Sequence, residues 1–427
     1  MRFKNKRCLV YGMGASGRSA IKLLTSLGAH VFFYDDDISY AGQVGFVRHI
    51  EKEKFDYCIL SPGVKIKNNP YLSILKEKNT KILSELDLGY LFCKGKIIAI
   101  TGTNGKTTTA MLVAKILKEK GLDVVLCGNI GVPLTSVCLE KGKNTIFVCE
   151  VSSFQLEGSI LFKCQEGAIL NILPDHLDRH GTMQEYINAK QKLVDFAKKK
   201  VVLNLDDENS KKLISSKKCL YFSKKTLKKG VFIKNNAIFC NKKRILGLGN
   251  VKLLGEKNLE NVLASVALTC DFKISPENFF KAISTFIPAP HRMEIVGNFK
   301  GALLVDDSKA TNVASTINAL SAFKDKNIIL LLGGRGKDIS YDEIFKYPLK
   351  LAVCFGEEGE KIFASALRCE AVCFTHFEEA VFYALEKMEE NDVVLLSPAC
   401  SSFDEFSSYA ERGEKFKELI LEFLSGK

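Results

Sequence analysis

The run from Lys96 to Thr109, KIIAITGTNGKTTT, leads a β-rich apolar stretch into a turn of Gly102, Gly105 and Lys106, and then into helix-forming residues. That order commits the chain to a strand, a loop and a helix whose N-terminus faces an anion. Small residues at Gly102, Thr103, Asn104 and Gly105 let backbone N–H groups close on phosphate oxygens. Lys106 adds a point charge, and Thr107, followed by Thr108, offers its hydroxyl to Mg²⁺. The full phosphate-loop spacing wants glycine at position 100, where the chain has Ile100, so the match is to a shortened GxxGK[ST] form. A second apolar run, Thr145 to Cys149, delivers Glu150 where a metal-binding carboxylate would sit.

The segment before this loop has its own punctuation. Apolar runs at Cys8–Tyr11, Val31–Tyr34 and Tyr57–Leu60, with a helical stretch at Ser19–Leu27, form a βαβ pattern and hence a parallel sheet. The turn Gly12-Met13-Gly14-Ala15-Ser16-Gly17 fits GxGxxG, and Asp35 and Asp36 end the next strand, where an acidic group meets a ribose or base. Ser61-Pro62-Gly63 closes the third strand on the same edge. Alone, this turn points to a dinucleotide and a nicotinamide-dependent dehydrogenase. That reading leaves the phosphate loop and Glu150 idle.

With 427 residues, 46% of them hydrophobic, the chain has room for several domains. Runs at Val124–Cys127, Phe147–Cys149, Ala168–Ile172 and Val201–Leu203 continue a P-loop ATPase-type core. A third series follows Pro288-Ala289-Pro290, with strands at Leu303–Val305, Ile328–Leu332, Leu351–Phe355, Ala371–Phe374 and Val393–Leu396, and a last helix from Tyr409 to Leu424. The expected class is α/β in three domains: residues 1–92 Rossmann-like, 93–288 a central P-loop ATPase-type domain, and 289–427 Rossmann-like again. Lys217–Asn250, rich in Lys, Asn and Gly, reads as hairpins or loops on the central domain.

The net charge of +12 raises nucleic acid as a partner, but no zinc finger or RNA-binding aromatic motif accompanies it. Lysines spread along the chain and gather at Lys198–Lys200, Lys217–Lys229 and Lys242–Arg244, as a solvated face or as a field that captures a small polyanion. No segment reaches the ~20 apolar residues of a membrane span, and the start lacks a signal-peptide pattern. The 14 cysteines are scattered, several within apolar runs (Cys8, Cys58, Cys127, Cys149, Cys354, Cys373), and none forms a CxxC pair. Reduced, buried thiols in a cytoplasmic protein fit this best.

Polar residues after the later strands exceed what packing needs. By residue type alone, Asp175-His176 with Asp178 could cap a helix beginning near Met183. In the same terms Lys190 is a solvated helix lysine, Ser402 a helix cap and Tyr409 a core aromatic. In chain order, however, TGTNGKTTT, GNIG, EVSSFQLE, NILPDHLDRHG, NLDD, PHRME and DDSKATN resemble the motifs of the Mur ligases, ATP-dependent amino-acid ligases of bacterial peptidoglycan precursor synthesis. The resemblance covers essentially the whole chain, and DSKATN, LLGGRGKD and SPACSSFDEF are similar to the D-glutamate-adding members.

The resemblance implies joining of D-glutamate to UDP-N-acetylmuramoyl-L-alanine through an acyl phosphate, with ADP and phosphate released and a monomeric enzyme. A sister ligase adding another amino acid is the alternative. The first domain then holds UDP and the last D-glutamate. Implied catalytic residues are Lys106, Glu150, His176, Lys190 and Arg292. ATP falls to Gly102, Thr103, Asn104, Gly105, Lys106, Thr107, Thr108, Asn261, Arg292 and Asp307. The UDP-sugar falls to Gly14, Ala15, Ser16, Asp35, Ser61, Pro62, Gly63, Asn129 and His176, and D-glutamate to Lys309, Thr311, Lys337, Ser402, Phe403 and Tyr409. Two Mg²⁺ are expected, on Thr107, Glu150, His176 and a carbamylated Lys190. The chain departs from the family at Lys257, usually His, at Asp306, often Asn, and at Tyr409, commonly Phe.

Overall fold

Three β-sheets, each built from the apolar runs of one stretch of chain, order the molecule in a computed structural model that describes residues 3–213, 218–253, 255–336 and 340–426. The described residues divide into two compact units, Met1–Val251 with Glu260–Thr285, and Lys252–Leu259 with Phe286–Lys427.

The first unit holds two sheets. One has four parallel strands in the order His30–Tyr34, Arg7–Tyr11, Tyr57–Leu60, Lys81–Ser84. Its two faces bury separate clusters, Cys8, Val10 and Ile59 on one side and Leu9, Cys58 and Leu60 on the other, as period-two alternation in a parallel sheet requires. The helix after the glycine turn is Ala15–Ser26, starting four residues before the expected Ser19. Gly14 is its N-cap, so the turn feeds the helix directly.

The other sheet has nine strands. Its parallel core runs Lys218–Ser223, Ala197–Asn204, Cys164–Ile169, Lys96–Thr101, Ile146–Glu150, Val124–Gly128. The strand expected at Ala168–Ile172 is thus Cys164–Ile169, because Asn171 leaves the ladder to engage the phosphate loop. Val231–Lys234, Ala237–Cys240 and Lys243–Gly247 extend the sheet, the first parallel to Lys218–Ser223 and the three antiparallel to one another in turn. The polar segment expected to form hairpins does so, as a continuation of the sheet.

The second unit carries six strands in the order Glu294–Phe299, Ala302–Asp306, Val393–Ala399, Ile328–Gly333, Leu351–Phe355, Ala371–Phe374, the first pair antiparallel. Ile328, Leu330 and Leu332 enter one core and Ile329 and Leu331 the other, which is why this strand is apolar at successive positions. Cys373, expected among buried thiols, is exposed because Ala371–Phe374 is an edge strand. No described helix is long and apolar enough to cross a membrane.

Candidate active site

In the nine-stranded sheet the carboxyl ends of adjacent strands bring the sequence motifs together. Ile100 pairs with Glu150, Thr101 with Ile169, and Gly128 with Glu150, so the phosphate loop, Glu150, Asn129 and Asn171 all leave one edge. This is the edge where open α/β sheets hold ligands.

The loop is braced from one side by Asn171. Its backbone oxygen accepts from Thr103 N at 3.0 Å, its Oδ1 accepts from Asn104 N at 2.9 Å, and its Nδ2 donates to Asn104 O at 3.2 Å. Gly105 has φ +83°, and a Cβ there would lie 2.1 Å from Asn261 Oδ1, so glycine is needed both for the backbone and for the close approach of Asn261. Lys106 Nζ donates to Gly102 O at 2.9 Å and Thr103 O at 2.8 Å, placing the ammonium against the loop. Thr107 Oγ1 donates to Glu150 Oε2 at 2.8 Å, Asn129 Nδ2 donates to Glu150 Oε1 at 2.8 Å, and Glu150 is buried. Thr108 is buried in the same helix turn.

Lys190 overturns its residue-type reading. It is 1% exposed, its Nζ lies 3.4 Å from Thr101 Oγ1 and 4.6 Å from the Tyr186 ring centre, and burial with the nearby Lys106 charge holds its pKa well below the ordinary lysine value. Burial at this position thus favours the uncharged amine over the ammonium. His176 has φ +55° at the N-cap of the short helix Leu177–His180, with no side-chain cap. Its ring meets Phe154 edge-on at 4.8 Å between centres, with Nε2 3.6 Å from Asp175 Oδ2. The longer helix Met183–Phe196 is capped by Thr182 instead, so the capping role open to Asp175, His176 and Asp178 falls to another residue.

A cavity of about 480 Å³ opens between the glycine turn of the four-stranded sheet and this edge. Its lining includes Gly14, Ala15, Ser16, Asp35, Ser61, Pro62, Gly63 and Asn129; His176 is not part of it. A Cβ on Gly12 would lie 2.7 Å from Ser61 Cβ, and one on Gly17 only 1.8 Å from Gly12 O, so these two glycines serve the protein's own packing. A Cβ on Gly14 would meet nothing within 4 Å, which leaves the backbone there open to the cavity. Asp35 accepts from Met13 N at 2.5 Å and Asp37 N at 2.9 Å, holding the turn as well as facing the cavity. Tyr11, Val64 and Pro133, which carried no motif signal, also line it, with Met13 of the glycine turn and Gln155 of EVSSFQLE.

In the second unit Asp307 is buried and accepts from Met293 N at 3.1 Å and Ser397 Oγ at 3.0 Å; burial pushes its pKa up to about 7. Arg292, half-buried, adds a charge that opposes this rise. Asp306 Oδ2 lies 2.6 Å from His291 Nδ1, and its Oδ1 accepts from Ser308 N. Lys257 donates its backbone N–H to Asn318 Oδ1 at 3.2 Å. Lys309 Nζ stands 3.3 Å from the Tyr409 ring centre, Thr311 N donates to Lys309 O, Ser402 is buried and Phe403 is exposed. Ser402 is no cap for Tyr409–Ser425, whose N-cap is Ser408. Lys337 lies outside the described residues.

Sequence reasoning missed Arg412. It is fully buried and donates to Ser308 Oγ at 3.0 Å, Ser308 O at 3.0 Å and Cys400 O at 3.1 Å, tying DSKATN to SPACSS. Only its place inside a charged, otherwise surface-type helix could have marked it.

Known proteins match this arrangement throughout. The Mur ligase middle domain matches residues 100–269, and the Mur ligase, glutamate ligase domain matches residues 291–400. The UDP-N-acetylmuramoylalanine--D-glutamate ligase of Alkaliphilus metalliredigens is 34% identical, covering 98% of this chain and 99% of its own. That of Caldicellulosiruptor bescii is 36% identical over 100% of this chain and 99% of its own. Among solved structures, a pseudomurein peptide ligase type C from Methanothermus fervidus has a TM-score of 0.64 at 20% identity, covering 98% of this chain and 100% of its own. UDP-N-acetylmuramate-alanine ligase MurC from Thermotoga maritima has 0.64 at 21%, covering 99% and 100%, and with the former establishes the common fold. The chain belongs to the Mur ligase family.

Proposed function

We propose that the protein joins D-glutamate to UDP-N-acetylmuramoyl-L-alanine with ATP, in peptidoglycan precursor synthesis in the cytoplasm. The observation that carries this is Glu150, held by Thr107 of the phosphate loop on one oxygen and by Asn129 of the cavity on the other. A γ-phosphate on the loop and a carboxylate ending a ligand in the cavity would meet beside it. A carboxylate is a poor electrophile at neutral pH, so ATP first converts the L-alanyl terminus to an acyl phosphate. The D-glutamate amine then displaces phosphate.

The chain's part is to hold these groups and offset their charge. Lys106 stabilises negative charge gathering on the transferred phosphoryl group, and Arg292 is assigned the same task. Thr107 and Glu150 form an all-oxygen donor pair 2.8 Å apart that fits Mg²⁺. Lys190, buried and with its pKa lowered by that burial, fits carbamylation by CO₂, which would give it an oxygen donor for a second Mg²⁺ with His176. Bound there, Mg²⁺ would neutralise phosphate charge and bring the two anions together. Asn261 and Asp307 are assigned to the nucleoside. Lys309, Thr311, Lys337, Ser402, Phe403 and Tyr409 are assigned to D-glutamate, whose two carboxylates call for cations and hydroxyls. Residues 1–92, 93–288 and 289–427 are the corresponding domains in this reading.

The test supplies the purified chain with UDP-N-acetylmuramoyl-L-alanine, ATP, Mg²⁺ and each enantiomer of glutamate, and measures ADP and phosphate. Release is expected only with acceptor and D-glutamate together, and Lys106→Ala should retain less than about a tenth of kcat. ATP left intact with both substrates present ends the reading. Turnover with a different amino acid in a panel would move the chain to a sister activity.

A further inference from the structure

Arg179, in the motif NILPDHLDRHG, has no place in the mechanism above, yet its guanidinium is shared between the two sheets of the first unit. Nη1 donates to Gly63 O at 2.9 Å and Nη2 to Val64 O at 2.8 Å, the two carbonyls that end the Ser61-Pro62-Gly63 turn of the cavity wall. Nε and Nη2 donate to Glu157 Oε2 at 3.2 and 3.0 Å, on the helix Ser153–Gly158 that follows Glu150. The guanidinium carbon lies 4.4 Å from the Phe154 ring centre, and Phe154 is the ring against which His176 packs. Arg179 N also donates to His176 O at 3.1 Å. The side chain is only 7% exposed, so these contacts are made with little competition from water.

We propose that Arg179 is a positioning residue that fixes the sugar-nucleotide turn and His176 in one frame, so that the uridine nucleotide is held at a set distance from the reacting phosphate. Only a planar fork serves here. Two backbone carbonyls and a carboxylate lie around one group, and the same plane covers an aromatic face; a lysine ammonium reaches part of this set and stacks less well. Loss of the fork frees the Gly63–Val64 carbonyls and leaves the Glu157 carboxylate without its partner. The cavity wall then loses its register with the catalytic edge. The phosphate loop, braced by Asn171 on another part of that edge, keeps its form.

This inference rests on the cavity being the sugar-nucleotide site, and calorimetric titration of the full chain with UDP and with Mg·ADP separates the two ideas. Wild type should bind both. Arg179→Met should bind UDP about tenfold more weakly and Mg·ADP within about twofold of wild type, and Arg179→Lys should fall between in UDP affinity. Lys67→Met, which breaks the exposed Lys67–Glu185 pair at the same junction, should change neither. Normal UDP binding by Arg179→Met overturns the proposal. So does parallel weakening of both ligands with a falling Tm, which marks a merely structural role. Should Arg179→Met fail to fold, Arg179→Lys decides: wild-type UDP affinity there overturns the proposal. A wild-type chain that binds no UDP overturns the cavity assignment and this proposal with it.

Discussion

Lys190 shows how burial converts a common residue into a special one. Charged side chains are almost never fully buried without a partner. This one is enclosed by Thr101 and Tyr186 and lies near the cation of Lys106, and the charge of Asp175 offsets its burial only in part. Its folded pKa lies below the unfolded value of about 10.4, so the unfolded chain binds the proton more tightly. The group's contribution to stability is therefore full above about pH 10.4 and is lost as pH falls toward the folded value. In CO₂-free buffer, the Tm advantage of Lys190→Met over wild type should grow as pH drops from 10 to 7; a constant gap would place the amine in water. Lys190→Ala should lose about ten- to a hundredfold in kcat, partly restored by a short-chain carboxylic acid. Unchanged activity would end its catalytic assignment.

At the scale of elements, what the sequence displayed and what it hid follow from burial. Ile97–Ile100 and Ile328–Leu332 read as strands because both faces are covered, so every position is apolar. Lys81–Ser84 and Glu294–Phe299 were missed because each is a short or half-exposed edge strand, the second with a glycine and an irregular register. In the site, Gly102–Thr107 and Glu150 were legible because phosphate chemistry demands those residue types in that order. Asn171 and Arg179 stood inside the NILPDHLDRHG motif, but what they and Arg412 hold was not legible, because each acts by reaching across some 67 to 116 residues of sequence, as in the contacts to Asn104, Gly63 and Ser308. Glu85 belongs with them. At the start of the helix Glu85–Phe92 it accepts from Thr135 N and Oγ1 while its Oε2 is buried without a hydrogen-bond partner, and burial raises its pKa. For a raised carboxyl, stability is full below the unfolded value of about 4.3 and is lost as pH rises through the folded one. Glu85→Gln keeps an acceptor for Thr135 without the charge. Its unfolding free energy should match wild type near pH 4 and exceed it increasingly above, by about 1–3 kcal/mol at the plateau; parallel pH profiles would show the carboxylate to be solvated.

For the whole molecule the unresolved quantity was the meaning of +12. Not every lysine contributes. Lys200, from the cluster Lys198–Lys200, is buried between Glu166 and Asp271 at 3.0 Å each, so its charge is neutralised within the sheet. Many of the rest are exposed, and three surface pairs, Lys6–Asp56, Lys211–Glu208 and Lys346–Glu343, are of the kind worth little in water. What remains is a positive field around a protein whose proposed substrates, ATP, a UDP-sugar and D-glutamate, are all anions. Such a field raises the rate of encounter and leaves the chemical step alone. Salt distinguishes this from an inert solvated face, because the screening length shrinks from about 10 Å at 0.1 M to about 3 Å at 1 M. With D-glutamate and ATP saturating, kcat/KM for UDP-N-acetylmuramoyl-L-alanine should fall about tenfold between roughly 0.05 and 0.5 M salt, equally in NaCl and KCl, while kcat stays within about twofold. If kcat/KM is flat across that range, the excess lysine serves solubility alone; if kcat falls with it, salt is acting on bound phosphates at the loop instead of on their approach.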